Sequence, residues 1–175
     1  MNRVMVGLAV AALVAVGLGG AAGPAGAVGA AAAAHGRDVP EVIKVPAGNK
    51  KVATMPARGV QTYQCAAGAW TFLQPDAILR YHGRAEVLHS KGPVWTSTRD
   101  GSSVTAAAQA NSPVPGAIPQ LLLKSTGNRG PGGFAGVTFI QRLNTTGGLA
   151  PTGACTDGAT VSVPYTADYT FWVAG

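Results

Sequence analysis

Residues 134 to 145 read FAGVTFIQRLNT. No proline interrupts them, and β-branched and aromatic residues are dense, as suits a half-buried pleated surface. On a strand, Val137, Phe139, Gln141 and Leu143 point one way, and Thr138, Ile140, Arg142 and Asn144 the other. Gly147-Gly148 then closes the run. The same grammar returns at 161–173, VSVPYTADYTFWV, with Tyr165, Ala167, Tyr169, Phe171 and Val173 on one face and Thr166, Asp168, Thr170 and Trp172 on the other. Pro164 cannot donate to a ladder and is expected at an edge or a bulge.

Working back along the chain, GVQTYQC (59–65) and WTFLQ (70–74) are further strands, with AAGA between them as a hairpin turn. Of the twelve prolines all but Pro24 lie at residue 40 or later, spaced so that long helices are excluded. Residues 76–90, DAILRYHGRAEVLHS, fit both a helical stripe and a hairpin around Gly83-Arg84. The hairpin is preferred, because Gly83 inside a helix costs roughly 1 kcal/mol relative to Ala. In HSKGPVWTSTRDGSSV (89–104), Gly92-Pro93 turns into a strand, and Arg99-Asp100-Gly101-Ser102 is read as a type I′ turn with both central residues at φ > 0. The fold expected is all-β, a single antiparallel sandwich or barrel of about eight short strands.

The N-terminus carries an address. Arg3 precedes an uncharged run from Val4 to Leu18, and small residues follow, with Ala25-Gly26-Ala27 as an A-x-A cleavage pattern. Residues 1–27 are read as a signal peptide, 28–38 as a flexible Gly/Ala-rich tail and 39–175 as one secreted β domain. A second cut after Ala34 would start the mature chain at His35 instead of Val28. No span is expected after cleavage. In an exported chain the two cysteines, Cys65 and Cys155, are expected as a disulfide, with two buried thiols as the alternative.

Charged residues are 11% of the chain, against roughly 25% in a typical domain, and the net charge of +6 is scattered. No basic stripe with stacking aromatics appears, so nucleic acid is not an expected partner. There is no His-Glu-x-x-His, P-loop or G-x-S-x-G. Gly130 to Ala135, GPGGFA, matches a loose G-x-G-x-x-A, but a strand follows where a dinucleotide site needs a helix. In the hairpin His82 and His89 stand roughly 13 Å apart. A zinc ion needs ligands near 2 Å, so neither a metal nor a cofactor is expected. Ser-His-Asp sets and carboxylate pairs have no supporting spacing, so catalytic residues are left unassigned. Trp70 and Trp95 are expected in the core, and one of Phe171 and Trp172 at the surface.

Several marks together carry a resemblance: His89 with Gly92-Pro93 and Trp95, Asp100-Gly101-Ser102, Ile140-Gln141-Arg142, Gly147-Gly148 with Pro151 and Cys155, and Tyr165-Thr166-Ala167-Asp168-Tyr169. Over residues 40–173 the chain resembles an uncharacterised secreted domain-of-unknown-function family of bacteria and fungi that includes fungal appressorium-specific proteins. Gln120 departs from that pattern, which has Trp after the Ile-Pro. The resemblance implies secretion and a shared fold, carries no activity, and singles out His89 and Arg142 for testing. With Trp95 and Asp100 they form the candidate ligand-binding set. The function expected is a secreted, non-catalytic envelope or host-surface module that binds a protein or a polymer, with extracellular polysaccharide or envelope polymer as the partner class. The alternative is a secreted hydrolase acting on extracellular polysaccharide or ester.

Overall fold

A computed structural model describes residues 38–175. The expected signal peptide, both candidate mature starts and all but the last residue of the expected tail lie outside the described residues. After a 3₁₀ turn at Glu41–Ile43 come eight strands: β1 (Asn49–Ala66), β2 (Ala69–Tyr81), β3 (Arg84–Ser90), β4 (Val94–Ser97), β5 (Ser103–Val114), β6 (Ala117–Arg129), β7 (Val137–Gly147) and β8 (Thr160–Ala174). Each pairs antiparallel with the next, and β8 returns to β1, so the sheet closes as an up-and-down barrel. Of the sandwich and the barrel, the structure takes the barrel.

The strands are longer than expected. WTFLQ and the first arm of the 76–90 hairpin are one strand, β2, which runs straight through Pro75. Prolines persist in these strands where the ladder is already interrupted. Pro164 is neither in an edge strand nor the extra residue of a bulge. It lies one residue beyond the last β7 pair, Gly147 with Tyr165, and there its carbonyl accepts the Gly148 N–H. Its absent N–H faces the same side, where no ladder continues.

Residues 76–90 adopt the hairpin. Tyr81 pairs with Arg84, so the turn is His82-Gly83, not Gly83-Arg84, with φ of 47° and 79°. Ala67-Gly68 does the same between β1 and β2, at 52° and 74°. Positive φ at both central residues is the type I′ signature that matches strand twist. The Asp100-Gly101 loop is not of this type. Gly101 has φ 71°, but Asp100 is not left-handed. Residues 98–102 form a wider loop closed by the Ser97 N–H on the Ser102 carbonyl.

Alternation along β8 holds as read: Tyr165, Ala167, Tyr169 and Phe171 are buried in the interior, with Val173 packed against them. β7 departs from strict alternation, because its pairing with β8 shifts register between Val137 and Phe139. Val137 and Ile140 therefore both reach the core. Gln141 is buried as well: its Nε2 donates to the Ile43 carbonyl, and the Trp172 indole N–H donates to its Oε1. Of the tryptophans, Trp95 is in the core, whereas Trp70 and Trp172 are half-buried.

Cys65 and Cys155 form the disulfide, Cα atoms 5.8 Å apart, tying the end of β1 to the loop before β8. Asp157 in that loop accepts the Gly68 N–H and fixes the β1–β2 turn. In the middle of β1, Gly59 lets β2 pass close. A Cβ there would fall 2.5 Å from the Ala77 Cα.

Candidate functional site

In an up-and-down barrel alternate connections gather at the same end. The β1–β2, β3–β4, β5–β6 and β7–β8 connections share one end, and the β2–β3, β4–β5 and β6–β7 connections share the other. The two ends are built differently.

The second end is partly covered by the β6–β7 loop, and a cavity of about 390 Å³ remains beside it between Met55, Tyr81, Val87, Phe134 and Phe171. Phe134, from the β6–β7 loop, is buried and packs on Phe171 with ring centroids 4.9 Å apart. Asp100 holds this cover in place. Its Oδ1 accepts the Ser102 N–H at 2.9 Å and the Ser102 hydroxyl at 2.6 Å, and its Oδ2 accepts the Gly133 N–H at 3.0 Å. The Ser102 Oγ in turn accepts the Phe134 N–H. These bonds hold the Asp100 carboxyl far below the usual range, the Ser102 hydroxyl most of all. Gly132 has no Cβ to meet this carboxylate, which would be 2.5 Å away. Asp100 is thus a pin between two loops.

The first end is open on one side, and strand length is the reason. β3 and β4 are 7 and 4 residues long, while β2 and β5 have 13 and 12. β2 pairs with β3 only from Ala77 onward, and β5 pairs with β4 only through Thr105. Above those levels the facing edges of β2 and β5 have no ladder partner between them among the described residues. The wall is notched there, and behind the notch is a cavity of about 400 Å³.

Phe72, Leu73 and Pro75 from β2, Pro93 from the β3–β4 loop, and Leu121 and Leu123 from β6 give this cavity an apolar lining. Ala108 of β5 and Lys91 stand at its rim. Its polar groups are Gln61, His89, Trp95, Arg142 and Tyr169. His89 and Trp95 are directly paired across β3 and β4, and their rings stack 4.2 Å apart with planes 7° from parallel. Tyr169 meets both edgewise. The sequence-derived candidates His89, Trp95 and Arg142 therefore come together around one cavity, while Asp100 sits at the opposite end of the barrel.

The cavity joins one buried imidazole and one guanidinium to several hydrogen-bond donors. His89 Nδ1 lies 3.0 Å from the Val94 carbonyl, which can only accept, so Nδ1 carries the proton. Burial pushes the His89 pKa down to about 4, against the opposing pull of that bond, so the ring is neutral at pH 7. Arg142 gives Nε and Nη2 to the Pro119 carbonyl, at 3.1 and 2.9 Å. No carboxylate pairs with it among the described residues. Two buried donors, Gln61 Nε2 and Trp95 Nε1, have no partner of hydrogen-bond geometry among the described residues, although Gln61 lies near enough to the Tyr165 hydroxyl to lower its pKa slightly. Burial raises the pKa of Tyr169 and of Tyr165, whose hydroxyls lie 3.2 Å apart, so both stay protonated. No Ser, Thr, Cys, Asp or Glu is among the described lining residues.

A family model described as a protein of unknown function (DUF3455) matches residues 79–173, more than half of the chain. The chain belongs to the DUF3455 family. The DUF3455 match runs from the end of β2 through β8 and contains His89, Trp95, Arg142 and Tyr169. Gln61 and the β2 wall of the cavity precede it. No curated protein and no solved structure matches the chain.

Gln61 was not singled out from the sequence. Its signal was there: it alternates with Tyr63 and Cys65 on the inward face of β1, and an amide on a buried face needs partners. The apolar lining had no comparable signal, because Leu121 and Leu123 read the same whether they face a filled core or a cavity.

Proposed function

We propose that this DUF3455 protein is a secreted, non-catalytic binding module that takes its ligand into the notched end of the barrel. The observation that carries this is the pairing of an apolar cavity with unpartnered buried donors on Gln61 and Trp95. A buried donor without a partner costs about 1–3 kcal/mol. A ligand that accepts from these groups would recover that cost on binding. Barrel mouths are common ligand sites, and about 400 Å³ falls within the usual pocket range.

The binding reading is preferred to the hydrolase because of how His89 is used. Its Nδ1–H is given to a backbone carbonyl, no carboxylate hydrogen-bonds to the ring although Asp76 acts on it through its charge, and its low pKa makes it a poor base at pH 7. A polysaccharide or envelope polymer would use this site through one terminal group, since the cavity has room for only about a dozen water-sized groups. Export is supported by the n-region, apolar run and A-x-A pattern, and by the disulfide. The resemblance to secreted bacterial and fungal proteins, appressorium-specific ones among them, agrees with it.

Ala108→Trp tests the site without disturbing the core, because Ala108 is exposed at the rim. Anilinonaphthalene sulfonate, an apolar probe with acceptor oxygens that is larger than the cavity and would lie partly in the notch, should bind the native protein with a fluorescence rise. The Ala108→Trp variant should melt normally and lose that binding. Equal binding by the variant, or none by the native protein, would refute the assignment.

A further inference from the structure

We infer that the cavity is built for a monocarboxylate with an apolar body of about ten carbons, the size that fills it at roughly 30 Å³ per water-sized group. This rests on the cavity being the binding site. The carboxylate lies on Arg142, and the apolar body lies against Phe72, Leu121 and Leu123.

The polar half of the cavity selects the head group by what it lacks. Two buried donors there, Gln61 Nε2 and Trp95 Nε1, have no partner among the described residues, whereas the unprotonated Nε2 of His89 is an acceptor. An indole N–H can only donate. Trp95 is 1% exposed and Gln61 is 2% exposed, so bulk water does not satisfy them. Arg142 spends its Nε–Nη2 edge on the Pro119 carbonyl. That anchor fixes the guanidinium plane and turns the Nη1–Nη2 edge toward the Tyr169 hydroxyl, and no carboxylate takes that edge among the described residues. A planar carboxylate matches such an edge with two bonds. A cationic head would face the Arg142 charge. A neutral hydroxyl would leave that charge uncompensated in an apolar surround. His89 adds no competing charge, because its ring is neutral at pH 7 and its N–H is already engaged.

The apolar half sets the body. Leucine, proline and phenylalanine side chains line it, and the notch between β2 and β5 opens sideways. A chain longer than the cavity could leave through the notch, past the exposed face of Phe72.

The test is calorimetric titration of the purified, disulfide-bonded protein with decanoate, decanol, decylammonium and decyl phosphate at neutral pH. Decanoate should bind tightest, and decanol about tenfold or more weaker, the ratio expected for charge-assisted bonds to a half-buried head. Decylammonium should be weaker again. Arg142→Gln, which can still donate to Pro119, should bring decanoate down to the level of decanol and leave decanol unchanged. If that variant does not fold, the four ligands on the native protein decide alone. Decanol equal to decanoate overturns the carboxylate assignment but leaves the binding site standing. Decyl phosphate tighter than decanoate overturns it in favour of a phosphate head. Decanoate binding that survives Ala108→Trp places the carboxylate elsewhere and overturns the inference. If anilinonaphthalene sulfonate also fails to bind the native protein, the site itself falls.

Discussion

Lowering the pH should destabilise this barrel through His89. The imidazole is buried against Trp95 and Tyr169, and its pKa is held at about 4 instead of 6.5. Between those values the unfolded chain holds a proton on His89 and the folded chain does not. Stability is therefore complete above about pH 6.5 and falls as the pH drops toward 4. At roughly 1.4 kcal/mol for each pH unit, the loss by pH 4 is about 3 kcal/mol. That is a large part of the roughly 5–15 kcal/mol that keeps a domain folded. Carboxylates titrate in the same range, so the measurement needs a reference. His89→Phe keeps a flat ring for Trp95 and removes the titration. Urea unfolding of both proteins at about pH 7 and about pH 4 isolates the histidine contribution as the difference of differences. The native protein should lose about 3 kcal/mol more than the variant. Parallel losses in the two proteins, or a titration of the assigned His89 imidazole near 6.5 by NMR, would refute the account of His89 as a buried neutral ring.

Four other outcomes are expected. Reduction of Cys65–Cys155 opens a loop of 90 residues, worth about 4–5 kcal/mol in the chain-entropy model and often less in practice, so the melting temperature should fall clearly under reductant. Titration of the unfolded, unreduced protein should find no thiol. Gly59→Val should be the most damaging glycine change, at or above the roughly 1–3 kcal/mol of ordinary overpacking, because it drives side-chain atoms into the β2 backbone; normal expression and melting would contradict this. Asp100→Asn places an amide N–H against the Gly133 or Ser102 N–H, so it should lower the melting temperature at neutral pH, while binding at the opposite end of the barrel should survive in the folded fraction. Mass analysis of exported material should find a start at Val28 or His35, and an intact Met1 would end the export proposal.

The residues themselves carried the fold class. Alternation along 161–173 placed Tyr165, Ala167, Tyr169 and Phe171 on one face, and that face became the interior, because side chains on a strand alternate whatever the partner. The two-residue turns at Ala67-Gly68 and His82-Gly83 were legible to within a residue, since a glycine after the first turn residue is a local steric signal. Cysteine parity gave the disulfide. Other features depended on partners distant in sequence. Whether the strands closed into a barrel was set by the register of β1 against β8, whose partners range from Gln64 with Thr160 to Asn49 with Ala174 and are far apart in the chain. Asp100 read as a turn residue or a ligand, and only the return of Gly133 over it made it a pin. The cavity arose from a mismatch in strand length: β3 and β4 stop short while β2 and β5 continue, and strand ends are poorly marked when prolines sit inside strands. His89 and Trp95 were six residues apart in the sequence. The β3–β4 register stacked their rings, and the barrel then brought Arg142 and Gln61 to the same cavity. Side-chain chemistry is local and can be read residue by residue; convergence on one cavity is a property of the closed sheet.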